Sequence, residues 1–140
     1  MKISIAGGKL SHLVQKDKIW DHGSMTEQAR IIFYLIQKAR ANGNIESLKK
    51  YCTISCFEKL KAEMENEKKY TEKFLKDPMI KELAVMEVYP GKNNKPDMFT
   101  AVLKGVSKKE VADNESTNEF SVQWSFVRQG DWWLLDEIRS

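Results

Sequence analysis

The chain has 140 residues, 41% of them hydrophobic, with 23 Lys and Arg against 20 Asp and Glu for a formal net charge of +3. That length supports one proper core and is too short for two comfortable domains, and a charge balance this even, with no basic run interleaved with aromatics, excludes a dedicated nucleic-acid binder. Cys52 and Cys56 cannot build a disulfide framework and fall short of the four ligands of a structural zinc site, so they read as buried or half-buried free thiols, and neither metal nor cofactor is implied.

Residues 1–20 read as a basic arm, set apart from a single domain over residues 21–140. Ile3 and Ile5 precede Gly7-Gly8, Leu10, Leu13 and Val14 then fall at helical spacing, and Lys2, Lys9, Lys16 and Lys18 against Asp17 carry most of the net charge. Such a piece can lie on an anionic membrane surface, although a loosely docked terminus is the simpler reading. No stretch reaches the apolar length of a membrane span, and the N-terminus has no continuous apolar signal region. The chain is therefore expected in the cytoplasm, with residues 1–20 as the segment available for membrane contact.

Ser24, three residues ahead of Glu27, has the form of a capping box and predicts a helix to about Ala41, stopped by Asn42-Gly43. Ala29, Ile32, Phe33 and Ile36 make its inner stripe; Ile31, Tyr34 and Leu35 widen the apolar arc, so this helix should touch more than one neighbour. Asn44 caps a short helix with Ile45, Leu48 and Tyr51. Ser55 and Glu58 repeat the capping box for a third helix, which carries Phe57, Leu60 and Met64, a charged solvated middle, then Phe74 and Leu75 before a stop at Asp77-Pro78.

From about Glu82 the period changes to two. Leu83, Val85 and Glu87 alternate with Ala84, Met86 and Val88, so both faces are fairly apolar and the phase at Glu87 is ambiguous. Pro90-Gly91 and Asn93-Asn94 make a loop, Phe99 to Val106 returns as a partner strand, and Ser107 to Asn118 reads as a charged, turn-rich connection. Phe120, Val122, Trp124 and Phe126 then alternate with Ser121, Gln123 and Ser125, a strand with one face buried. Gln129-Gly130-Asp131 turns the chain into a last strand, Trp132 to Ile138. Trp132 and Trp133 must point to opposite faces; Trp133 is assigned, with Leu135, to the face of Trp124. Burying those two indoles removes roughly 300 to 500 Å² from water, about 8 to 12 kcal/mol as an upper bound. Helices followed by a four-stranded antiparallel sheet make an α+β fold, with the sheet curling over the first predicted helix.

Ile36-Gln37-Lys38-Ala39, Asn44-Ile45-Glu46-Ser47-Leu48, Tyr51-Cys52-Thr53 and Phe57, followed by Phe120, Trp124-Ser125-Phe126-Val127-Arg128, Trp133 and Leu135-Asp136-Glu137-Ile138, carry a resemblance. Over residues 20–139 the chain resembles the C-terminal domain family of the mitochondrial inner-membrane import-motor anchor and its bacterial relatives. The resemblance implies a nuclear transport factor two-like, or cystatin-like, fold in which a curved antiparallel sheet wraps helices around an apolar cavity, and an association with membrane lipid. Val122 stands where the family usually carries an acidic residue, the loop from Ser107 to Asn118 looks shortened, and the import-motor role does not transfer.

The aromatic density predicts a non-enzymatic binding module. Its pocket, for an apolar, lipid-like ligand or a partner protein's hydrophobic segment, would be lined by Phe33, Ile36, Phe99, Trp124, Phe126, Trp133 and Leu135. Arg128 follows Phe126 at period two, which puts it at the rim, where a guanidinium can hold an anionic head or pair with an acid. The alternative is a small-molecule isomerase, lyase or hydrolase with Glu87 or Asp136 as base. Asp136 and Glu137 more simply pair with Arg128 or Arg139 across the hairpin, and His12 and His22 precede the core. A third reading is a dimeric scaffold associating through the outer sheet face, where Trp132 and Leu134 would otherwise be exposed.

Overall fold

The computed structural model describes residues 3–67, 76–109 and 116–139. Helix α1 (Ile3–Lys16) leads through a 3-10 turn (Lys18–Trp20) into α2 (His22–Asn42), a 3-10 helix (Ile45–Tyr51) and α3 (Ile54–Glu67). The chain then forms β1 (Lys76–Tyr89), β2 (Met98–Lys109), β3 (Ser116–Gln129) and β4 (Trp132–Arg139). The four strands make one antiparallel meander in chain order. The molecule is an α+β fold with its helices N-terminal to its strands.

The N-terminal segment is not an arm apart from the core. Leu10 and Trp20 are buried in the same apolar cluster as the sheet, and α1 packs on β1. The apolar spacing of Leu10, Leu13 and Val14 serves that contact: Leu13 and Val14 are packed against the cluster.

Two caps fall upstream of the predicted capping boxes. Asp21 caps α2, its Oδ2 accepting from the Ser24 amide at 2.8 Å and the Ser24 hydroxyl at 3.0 Å. Thr53 caps α3, its Oγ1 accepting from the Cys56 amide at 3.3 Å. Asp and Thr are themselves good N-caps, so a serine inside the first turn is not needed for that role. Asn44 makes no side-chain cap bond. The α2 stripe of Ala29, Ile32, Phe33 and Ile36 is buried as predicted, while Ile31 and Tyr34 stay 41% and 42% exposed. The predicted tail of the third helix, with Phe74 and Leu75, lies outside the described residues. β1 already runs at Lys76, so Pro78 belongs to the start of an edge strand, where the ladder tolerates proline, and does not end a helix.

In β1 the register with β2 shifts between Ile80 and Glu82 and again between Val85 and Glu87. Each shift adds a residue on one strand and resets the alternation. That is why Val85 and Val88, three apart, both reach the buried face, at 1% exposure each. The described ends of the predicted connection from Ser107 to Asn118 are ladder: Ser107 pairs with Asn118, Lys108 with Thr117 and Lys109 with Ser116. Gln129 and Trp132 pair across the β3–β4 turn, where Gly130 takes a φ of 62°, a left-handed conformation that costs glycine nothing.

The core lies between α2 and the inner face of the sheet. Phe33 stacks on Phe120 with ring centroids 5.6 Å apart and tilts against Trp124 at 6.0 Å. Phe99 stacks on Phe126 at 4.5 Å and meets Trp133 edge-on at 4.8 Å, and Trp20 closes over Trp133 at 5.2 Å. The free edge of β4 is covered: Leu135 O accepts from the Thr53 amide at 2.9 Å, Trp133 O accepts from Gln28 Nε2 at 3.2 Å, and Cys52 forms a parallel bridge with Leu135.

Candidate functional site

The seven residues expected to line a pocket occupy one region, but as core. Phe33, Ile36, Phe99, Trp124, Phe126, Trp133 and Leu135 are each 4% exposed or less and belong to one cluster. Trp133 falls on the Trp124 face and Trp132 on the other, as the alternation required. The rings meet one another at the distances above, so the expected lining is packed against protein: Phe33 of α2 fills the space over Trp124.

Arg128 is committed to structure. Its Nη1 donates to Asp17 Oδ2 at 2.7 Å and to Asp97 Oδ2 at 3.0 Å, its Nε donates to Gly130 O at 2.6 Å, and Asp131 lies 3.7 Å from Nη2. One guanidinium thus ties the segment after α1, the β1–β2 loop and the β3–β4 turn at one end of the sheet. The hydrogen bond from Arg128 holds the Asp17 carboxyl below its usual value, helped by the Ile19 amide. Asp97 Oδ1 also accepts from the Gly91 amide at 2.6 Å. Pattern reading found Arg128 at the rim but not Asp17 or Asp97, whose approach depends on two loops folding to the same end.

The two carboxylates weighed as bases are not brought together. Glu87 pairs with Thr100 on the outer face of the sheet. Asp136 sits at the register shift of β4 and accepts from Thr53 Oγ1 at 3.0 Å, beside the cap of α3. Glu137 pairs with Arg139 on its own strand at 3.1 Å and not across the hairpin. His12 and His22 are exposed. Cys52 and Cys56 are free and buried; a hydrogen bond between the two thiols and the burial of the pair push the Cys56 thiol up and keep it protonated.

The outer face carries apolar groups outside the buried cluster, with Trp132 there tilted against Tyr51 of the 3-10 helix at 6.1 Å. Residues paired across antiparallel strands project to the same side. Tyr89 pairs with Met98, Met98 with Val127 and Val127 with Leu134, so a single apolar row crosses all four strands. Trp132 extends the row on the same face of β4, 43% exposed, and Tyr89 at its other end is 48% exposed. Further along the same face lies a shallow hollow of about 560 Å³, lined by Glu82, Lys104, Val106, Glu119 and Ser121 with Lys81. A second depression, of about 450 Å³, opens at the turn end between Ile19, Gln28 and the two tryptophans Trp132 and Trp133.

No protein-family model matches this chain, and no curated protein matches it. Among solved structures it is similar to the crystal structure of the intermembrane space region of the chloroplast protein ARC6, with a TM-score of 0.49 at 15% identity, covering 81% of this chain and 93% of that one. Among the described residues no group of three His, Cys, Asp or Glu is placed to hold a metal ion, and no helix is long and apolar enough to cross a membrane.

Proposed function

We propose that this domain is a non-enzymatic interaction module whose working surface is the outer face of its sheet, and that its partner presents an apolar protein surface. The observation that carries the reading is the row Tyr89, Met98, Val127 and Leu134, extended by Trp132. Contiguous apolar surface of this kind marks association sites on folded proteins more often than isolated exposed residues do. The row lies on paired backbone at the surface, which suits a surface partner better than a buried small molecule. Phe33 packed over Trp124 removes the reason for placing a lipid chain there, and neither Glu87 nor Asp136, each weighed as a base, lines either of the two hollows described above.

The test is a photo-crosslinking amino acid placed at Leu134 in the cells that make the protein, with the same group at Ile54, 84% exposed on α3, as control. A discrete protein adduct from position 134 and none from position 54 is the expected result. Equal labelling at both positions, or none at 134, sinks the reading.

A further inference from the structure

The outer face carries both a ridge and a hollow, and the strand register places them at opposite ends of it. Tyr89, Met98, Val127 and Leu134 form the ridge near the β3–β4 turn. Two residues further along each of β2 and β3 come Thr100 and Ser125, then Val102 paired with Gln123, then Lys104 paired with Ser121, and then Val106 paired with Glu119 at the hollow. Met79, 53% exposed, pairs with Val106 beside that hollow. The central pair, Val102 and Gln123, therefore lies as many ladder steps from the ridge as from Val106.

From this layout we infer that the partner of the outer face is a second copy of the chain, packed face to face about a two-fold axis that crosses the strands at Val102 and Gln123. The inference rests on the outer face being the working surface. Such an axis reverses the strand direction, so the ridge of each copy meets the hollow of the other, and the contact forms twice. Met98 of one copy then comes against Val106 of the other, and Tyr89 against Met79. Sheets packed this way lie about 10 Å apart with strands near 30° to one another, a geometry open to an antiparallel meander.

Area agrees with this occupant. Strands of 14, 12, 14 and 8 residues, at about 3.3 Å per residue and 4.8 Å between strands, make a face of about 750 Å². A stable interface of standard size takes about 800 Å² from each partner. A peptide segment would cover a fraction of the face and leave either the ridge or the hollow open.

Sedimentation equilibrium on the full chain, with Met98→Glu in the ridge and Val106→Lys in the hollow, tests the arrangement. Wild type should be a dimer, and each variant should weaken association at least roughly tenfold while keeping its far-ultraviolet circular dichroism and a cooperative unfolding transition. Mixing the two variants should recover a heterodimer, because one ridge and one hollow remain intact and meet each other while at the second contact the introduced acid faces the introduced base. A variant that fails to fold is replaced by the charge-swapped pair, Met98→Lys with Val106→Glu, read in the same mixture. A monomeric wild type at high concentration overturns the inference, as does a mixture that stays monomeric. The crosslink at Leu134 separates the two levels of argument: an adduct with a different protein keeps the outer face as working surface and rejects the second copy, whereas no adduct removes both.

Discussion

Arg128 shows how little a residue's position in a pattern says about its task. Period two carries it to the end of the buried face, where an anion could be held, yet its donors go to Asp17, Asp97 and Gly130. The pH dependence of that tie has a definite sign. Asp17 has its folded pKa lowered, chiefly by Arg128, so its contribution to stability is present above the unfolded value of about 3.9 and is lost as pH falls through the lower folded value. Asp17→Asn should therefore lower the unfolding midpoint at pH 7, and the gap to wild type should close as pH falls below about 4. Urea titrations across that range check it; a gap independent of pH would mean that packing, and not charge, is what the substitution removes.

At the level of elements, the inner face of the β3–β4 hairpin was the most legible part of the chain. Phe120, Val122, Trp124 and Phe126 alternate without interruption, and Gly130 marks the turn. β1 was harder to read because its two bulges reset the alternation, so no single phase fits from Ile80 to Val88. Of the apolar row on the outer face only Leu134, with Trp132 beside it, was legible: Tyr89, Met98 and Val127 join it only through the register of three ladders, which spacing along the chain does not encode. Cap positions shifted for a local reason, since Asp21 and Thr53 compete on equal terms with the serines downstream.

Thr53 joins two elements with one side chain. Its hydroxyl accepts from the Cys56 amide and donates to Asp136, while its amide holds Leu135 at the edge of β4. Thr53→Val keeps the shape and removes the hydroxyl, leaving a helix amide and a carboxylate short of a partner. The expected loss is about 1 to 2 kcal/mol by urea unfolding, with faster amide exchange in β4 than in β2. Unchanged stability would show that water replaces both bonds at no cost.

For the molecule as a whole, the boundary near residue 20 suggested by charge does not divide the structure. Leu10 is 4% exposed and sits in the cluster that contains Trp20 and Trp133. Charge misled here because Lys16, exposed at the end of α1, reports only a face that meets water, while three apolar positions, too few for a strong periodic signal, decide where the helix docks. Leu10→Ala should cost about 2 to 5 kcal/mol, the range for emptying a buried leucine site, measured as a shift of the single unfolding transition. A change within about 0.5 kcal/mol would return the segment to the status of an arm.

The same placement of helices before strands has a consequence for how the chain matures. Gln28 closes on Trp133, 105 positions later, and Trp133 donates to the Ile19 carbonyl, 114 positions earlier. At translation speeds of about 5 to 20 residues per second, the stripe of α2 waits roughly 5 to 20 seconds for the strand that completes its enclosure. During that interval Phe33 and Ile36 are greasy surface on a growing polypeptide, which makes the nascent chain a natural client for chaperones at the ribosome exit.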